Sequence, residues 1–412
     1  MRCYIRQLGE RPMKIVIKTI LAVSIIVGLC LILTVMIICR PGPGDKETVT
    51  ELTQSKVIVP DQNNWPMFRG GQSLLGTAQG TLPDSPGFLW KFKTGGEIKS
   101  SPVIDDGLVF VGSTDANVYA IDLENGDKIW AYSTGDAVEA TPCVVDGCVF
   151  VGSSDNFLYA LGAKSGELKF KYETEGQILG AANWTRSPDG RGIWILVGSY
   201  DNILYCLDSA NGELIWKYET DNYINGSPAV GEGVVAFGGC DAIIHIVSLA
   251  DGSRIKQIDS GSFIAASAAI SEGRVYVGNY DNVFISADIA SGKILWKYTG
   301  GDSPFFSSPA VGRNVVVLGC RDNLVHCIGR SDGKVVWTFK TLGEVDSSPV
   351  ICGDKVVVGS EDGRLYMIRL SDGSRVWSYE IGQAVTSSPA VANGMVVVGS
   401  DDGYVYAFAA KR

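Results

Sequence analysis

Eight aspartates recur along the 412-residue chain: Asp115, Asp155, Asp201, Asp241, Asp281, Asp322, Asp362 and Asp402. Successive gaps are 40, 46, 40, 40, 41, 40 and 40 residues. Carboxylates brought to one face at that spacing could form a crown for a cation. Each could instead cap its own turn, because a short Asp side chain accepts hydrogen bonds from backbone N–H groups nearby. A role repeated in every unit belongs to the unit, so the capping role is the one expected. Other chemistry is sparse. The two histidines, His245 and His326, fall where other repeats carry Tyr and read as strand residues. The ten cysteines include neither a Cys-x-x-Cys-His nor a zinc-type spacing. Seven lie in the repeats, and their positions on the predicted hairpins read as small buried hydrophobes rather than pairs.

The aspartates sit inside a longer refrain. Ser-Ser-Pro precedes a short apolar run, an Asp-Gly or Asn-Gly turn, Val-Val-Val-Gly-Ser, the Asp, then Tyr-Ala and Gly-Lys-x-x-Trp. A period near forty marks a repeat architecture. Each unit parses into four short strands. In one of the clearest, 387–391 is ended by Asn393-Gly394, 395–400 by Asp401-Asp402-Gly403, and 404–408 follows. The fourth strand is the one bearing Trp, as in Gly126-Asp127-Lys128-Ile129-Trp130. The turn residues tolerate the positive φ that tight hairpins require. Four antiparallel strands repeated radially make a propeller blade. Fourth strands occur eight times, near Trp90, Trp130, Phe170, Trp216, Lys256, Trp296, Trp337 and Trp377. The chain opens on an orphan fourth strand, 87–94, and closes on an orphan third strand, 404–408. Joining them closes the ring and leaves no sheet edge open. The expected fold is an all-β, eight-bladed propeller over residues 64–412.

Ala120, Asp122, Gly126 and Trp130 resemble the pyrroloquinoline-quinone (PQQ)-type propeller repeat, whose signature is Ala-x-Asp-x-x-x-Gly-x-x-x-Trp. Cys206 replaces the Ala before Asp208, Gly212 and Trp216, and Ser286 does so before Asp288, Gly292 and Trp296. Elsewhere the Asp is lost while Gly166, Gly252, Gly333 and Gly373 remain. The resemblance covers about residues 65–412. The family includes quinoprotein dehydrogenases and the outer-membrane assembly scaffold BamB, and in size and lack of insertions this chain is similar to the latter. The resemblance implies that Trp90, Trp130, Phe170, Trp216, Trp296, Trp337 and Trp377 dock one blade against the next. A large ring on an outer strand fills the wedge between twisted sheets while its N–H finds a partner. The dehydrogenases carry an adjacent Cys-Cys pair over the quinone and long pocket-building insertions. This chain has no such pair and one modest insertion near 183–190. No catalytic residue, metal or cofactor is therefore expected, and PQQ binding is not.

The N-terminus has a separate character. Residues 1–18 are basic; 19–39 are 21 uncharged, largely aliphatic residues, long enough to cross a hydrocarbon core. Arg2, Arg6, Arg11, Lys14 and Lys18 precede that segment, so the positive-inside rule places the propeller on the far side of the membrane. Met36-Ile37-Ile38-Cys39-Arg40 is neither a small-residue cleavage site nor a lipobox, which favours an uncleaved anchor over a signal peptide or lipidation. Residues 40–63 read as a tether. The net charge of −10 combines +5 over residues 1–40 with −15 over the rest, which argues against nucleic-acid binding.

Sites where the copies disagree are the ones free to specialise. Three residues before the Pro of Ser-Ser-Pro, at the predicted mouth of the channel, the repeats read Lys99, Glu139, Leu179, Asn225, Ala265, Phe306, Asp346 and Thr386. Phe305 beside Phe306 is expected to add an exposed aromatic step. Lys99, Glu139, Asn225, Phe305, Phe306, Asp346 and Thr386 are the candidate partner-binding face. The expected function is a membrane-tethered, extracytoplasmic, non-catalytic scaffold for an envelope protein. The alternatives are a quinoprotein-dehydrogenase relative and a small-ligand or glycan binder.

Overall fold

The computed structural model describes residues 62–411; the basic segment 1–18, the apolar segment 19–39 and nearly all of the tether lie outside the described residues. Among the described residues no helix is long and apolar enough to cross a membrane.

Eight sheets of four antiparallel strands follow one another around a ring, and Thr77–Ala78 adds a short parallel strand beside Val350–Cys352 of one of them. Blade 1 comprises Val103–Asp105, Leu108–Ser113, Asn117–Asp122 and Lys128–Ser133, and blades 2 to 7 repeat this order outward from the channel. Blade 8 is assembled from both ends of the propeller. Gly87–Lys93 is the outermost strand and pairs with Tyr404–Ala409, with Trp90 opposite Ala407. The expected closure and blade count are both present.

Strand formation follows from β-branched and aromatic runs broken by turns that need positive φ. The hairpin between the first and second strands of blade 1 places Asp106 at φ 47° and Gly107 at φ 77°, which matches the twist of the flanking strands. The insertion near 183–190 lengthens this hairpin in blade 3, between Asn183–Arg186 and Ile193–Gly198, and it points to the face opposite the eight aspartates.

Blades are joined at their outer edges by the Trp motif. Trp130 Nε1 donates to Ala163 O of blade 2 at 2.8 Å, and Trp90, Trp216, Trp296 and Trp337 make the same bond to the next blade. The ring lies over the next blade's signature Gly: a Cβ on Gly166 would sit 2.7 Å from Trp130, and Phe170 covers Gly212 equally closely. That close contact and a φ near +70° together account for the Gly two residues before the outer strand. Lys256 stands at this place in blade 4, and only its stem approaches Gly292. Trp377 instead packs on Phe408 and Tyr379.

Blades are joined at the channel by Ser-Ser-Pro. The second Ser of one blade accepts the backbone N–H of the blade before it: Ser227 N to Ser267 Oγ, Ser267 N to Ser308 Oγ, Ser308 N to Ser348 Oγ, Ser348 N to Ser388 Oγ, then Ser388 N to Ser101 Oγ, all between 2.8 and 3.0 Å. The first Ser accepts from its own second strand, as Gly112 N to Ser100 Oγ, and donates to the next blade. These hydroxyls satisfy buried backbone donors that the innermost strands would otherwise leave unpaired.

One face is crossed by a strap that the sequence pattern did not announce. Residues 62–76 hydrogen-bond the first strands or first hairpins of all eight blades in turn. Asn393 N donates to Gln62 O, Trp65 pairs with Ile104, and Val144 N donates to Pro66 O. The Asn183 side chain and Val230 N reach Gln72 O; Ile270, Val311 and Ile351 donate to Ser73, Leu75 and Gly76. Trp65, Met67 and Leu74 are buried beneath it. Arg69 is also buried and donates through Nη1 to Ser348 O and through Nη2 to Pro309 O, each 3.0 Å, and to Pro349 O. Its partners are carbonyls rather than a carboxylate, and burial pushes its pKa down to about 9.

Candidate functional site

The Asp-bearing turns and the loops between blades share the face opposite the strap. Asp115 Oδ1 accepts from Asn117 N at 3.0 Å, and Oδ2 accepts from Tyr119 OH and from Gly95 N of the inter-blade loop, both 2.6 Å. Asp155, Asp201 and Asp362 repeat all three bonds. Burial pushes Asp115 up, but these donors outweigh it and hold the carboxyl below its ordinary value. Both oxygens are thus committed to bracing the loop, which is what a turn cap does and a cation crown does not. In blade 5 the Asn279 side chain takes over the cap from Asp281.

The histidines belong to the same brace. His245 Nε2 lies 2.7 Å from Asp241 and Nδ1 3.0 Å from Tyr218 OH; His326 repeats this with Asp322 and Tyr298. A neutral imidazole protonated on Nε2 satisfies both neighbours. Each His is about 1 % exposed, so neither is placed to meet a substrate. The seven propeller cysteines are free, and their hairpin partners are other residues: Cys143 faces Phe150, and Cys148 faces Val145. Burial pushes the Cys320 and Cys327 thiols up to about 12, far from the reactive thiolate range.

Around the channel mouth the predicted variable position is accessible while both neighbours are covered. Ile98, Val138, Ile178, Ile224, Ile264, Phe305, Val345 and Val385 precede it, each with no exposed surface. This alignment corrects the reading of Phe305. It is the blade 6 version of a core plug, packed on Phe284, Tyr298 and His326, and contributes nothing to the surface. Phe306 is half-buried, with the Arg321 guanidinium 3.6 Å above its ring and Tyr280 edge-on at 4.8 Å.

Two further variable rings flank the first. The residue just before each Asp reads Thr114, Ser154, Tyr200, Cys240, Tyr280, Arg321, Glu361 and Asp401. Its backbone N–H is pinned to the inter-blade loop, where the accepting residues are Glu97, Ala137, Gln177, Tyr223, Phe263, Pro304, Glu344 and Ala384. The scaffold therefore holds 24 side chains in fixed places and leaves their identity open. The signal for these rings was present in the sequence, one ring lying one residue before the aspartates and the other two residues before the first variable position.

The rings are not mixed at random. Blades 3 to 6 carry an aromatic arc: Tyr200 and Tyr223 stack at 5.0 Å, Phe263 meets Tyr280, and Tyr280 meets Phe306. Tyr223, Phe263 and Tyr280 are 48 %, 50 % and 40 % exposed. Blades 7, 8, 1 and 2 carry Glu344, Asp346, Glu361, Asp401, Glu97 and Glu139 against Lys99 and, from the adjoining edge of blade 6, Arg321. Lys99 lies between Glu97 and Glu139 at 3.7 and 3.6 Å, and Arg321 clamps Asp346 with Nε at 2.9 Å and Nη2 at 2.5 Å. Thr386 donates to Asp401, and Asn225 donates to Cys240 Sγ. Glu361 is pushed up by burial and then by Asp346 and Glu344; Asp401 is pushed up by burial and by Glu97.

A planar tricarboxylate such as PQQ fits this mouth poorly. Both cations are already paired with acids, and the remaining charge is negative.

The family model described as outer membrane protein assembly factor BamB matches residues 82–189, 184–254 and 240–412. No curated protein matches the chain. Among solved structures, BamB from Moraxella catarrhalis is 18 % identical, with 80 % of this chain and 98 % of that one covered and a TM-score of 0.65. The quinohemoprotein alcohol dehydrogenase from Comamonas testosteroni is 14 % identical, covering 86 % of this chain and 82 % of that one, at 0.71. A computationally designed protein, Ika8, is 18 % identical, with 77 % and 97 % covered, at 0.66. The structural neighbours share the fold whether or not their names denote enzymes, whereas the matched segments take in every blade from the first outer strand to the last residue: the chain belongs to the BamB-type family of PQQ-repeat propellers.

Proposed function

We propose that this propeller is a non-catalytic binding scaffold whose channel mouth holds a protein partner in the cell envelope, with residues 19–39 tethering it to the membrane. The observation that carries the reading is the contrast within each repeat. Asp, Ser-Ser-Pro, Gly and Trp are consumed by turn caps and blade junctions, while the three mouth rings vary and remain accessible. Exposed, contiguous aromatic surface of this kind is uncommon on a monomer without a binding role. The family's description as an outer membrane protein assembly factor points the same way. Catalysis finds less support: the titratable groups with the most specific partners are braces, and His245 and His326 are covered.

A photo-crosslinking amino acid placed at Phe263 on the mouth, and separately at Ile129 on an outer strand, tests this in native membranes. A discrete adduct from position 263 and none from 129 is expected. Adducts from 129 alone would place the partner elsewhere and end the reading.

A further inference from the structure

The mouth is divided into sectors, and the division says what kind of partner it suits. Blades 3 to 6 present aromatic edges; blades 7, 8, 1 and 2 present six carboxylates against Lys99 and against Arg321 from blade 6, both already paired. Glu344, Asp346 and Glu361 can bring oxygen atoms within 4.8 Å, and the three share one cation, Arg321, which lies 3.2 Å from Glu344 and 2.5 Å from Asp346, so the cluster keeps an excess of negative charge. A cationic side chain arriving there relieves that excess and meets acceptors already held in place by Arg321 and the loop backbone. The aromatic arc wants a different kind of contact. Tyr200 and Tyr223 are parallel to within 2° and cover one face of each other, Tyr280 is edge-on to Phe306, and the Phe306 face is taken by Arg321. A sugar needs open, flat ring faces, and within the arc one face each of Tyr200, Tyr223 and Phe306 is taken. Branched aliphatic side chains pack against tilted rings and edges without that requirement.

We infer that the mouth binds a polypeptide segment bearing both lysine or arginine and branched aliphatic side chains, the cations lying over Glu344, Glu361 and Asp401 and the aliphatics over Tyr223, Phe263 and Tyr280. This rests on the mouth being the binding face and adds the chemistry of what it binds. Burial, and then neighbouring carboxylates, hold the Glu361 and Asp401 carboxyls above their ordinary range even with Arg321 and Lys99 nearby.

The test is fluorescence anisotropy on the purified full chain in detergent at fixed salt, with labelled decapeptides of alternating Lys-Val, Glu-Val or Lys-Ser, and a chitin oligosaccharide as a fourth probe. Saturable binding of Lys-Val is expected, with Glu-Val and Lys-Ser at least tenfold weaker. The pair Phe263→Ser and Tyr280→Ser should weaken Lys-Val binding about tenfold, and Glu344→Gln with Glu361→Gln about fivefold. Ile129→Ser, on an outer strand, should leave it unchanged. Equal binding of Glu-Val, equal losses from Ile129→Ser and the mouth variants, or binding of the oligosaccharide in place of the peptides would each overturn the inference. The crosslink from position 263 separates this failure from that of the scaffold reading: an adduct mapped to an acidic or uncharged segment keeps the scaffold and removes the inference, and no adduct from 263 removes the scaffold.

Discussion

The two faces of this propeller are built from the same eight blades and do opposite things. On the strap face, residues 62–76 bond every innermost strand or hairpin, bury Trp65, Met67, Arg69 and Leu74, and leave little free to change. On the mouth face, backbone bonds are just as regular, yet the side chains they present run from Glu97 through Phe263 to Arg321. The lesson is that regular hydrogen bonding is compatible with variable chemistry when the pinned group is backbone and the free group is side chain. Fold alone does not carry function, and here the variable rings are where function can be written.

The sharpest way to break the comparison lies within one dipeptide. Phe305→Ser removes a fully buried ring and leaves a hydroxyl in its place, so denaturant melts should show a loss of about 3–5 kcal/mol. Phe306→Ser, one residue on and half-exposed, should cost no more than about 1 kcal/mol by the same measurement. Equal losses would mean that the register of core plug and mouth residue is wrong.

The strap gives the next largest effect. Arg69→Met keeps the bulk but leaves carbonyls of Pro309, Ser348 and Pro349 without their donor. Buried unpaired acceptors cost about 1–3 kcal/mol each before relaxation, and a net loss of about 2–3 kcal/mol is expected from the melting curve. A neutral outcome would show that the strap seals the ring without stabilising it.

Below pH 7 the mouth carboxyls should respond to pH, whereas Arg69 of the strap stays charged there. Glu361 and Asp401 have raised folded pKa values, so their protonated forms favour the folded state. Their contribution to stability is present below the ordinary carboxylate range near pH 4 and is lost as pH rises through the raised values. Binding of a cation runs the other way, since it needs the carboxylates ionised. Lys-Val peptide affinity should fall as pH drops from neutral through the raised carboxyl values, and Glu361→Gln should flatten that slope. A profile unchanged by the substitution would remove Glu361 from the site.

The smallest effect concerns the one junction where the outer-edge ring is missing. Lys256→Trp should restore a ring over Gly292 and an indole N–H for the carbonyl of the next blade, raising stability by about 0.5–1.5 kcal/mol in urea titration. A loss would indicate that the junction between blades 4 and 5 is shaped around the lysine stem.

Much of this architecture was legible in the sequence, because each blade repeats local signals: hairpin turns, a two-residue period, a Trp after a Gly. Closure by strands 87–94 and 404–408 followed from counting. The strap was not legible, since it makes a bond or two to each blade and all its partners are distant in the chain. Phe305 was misread as surface because two adjacent aromatics suggest a patch, although Ile98, Val138 and Ile178 in the same register mark that column as core. Tyr200, Tyr280 and Arg321 were overlooked because the constant Asp beside them drew the eye.

The central claim is that the mouth side chains bind while the frame beneath them folds, and one doubly substituted protein tests it. Phe263→Ser with Tyr280→Ser in the full chain should leave the denaturation midpoint within about 0.5 kcal/mol of the parent and abolish the envelope-protein adduct formed from a photo-crosslinker at the neighbouring Ala265. A stable protein that still forms the adduct in full would contradict the account.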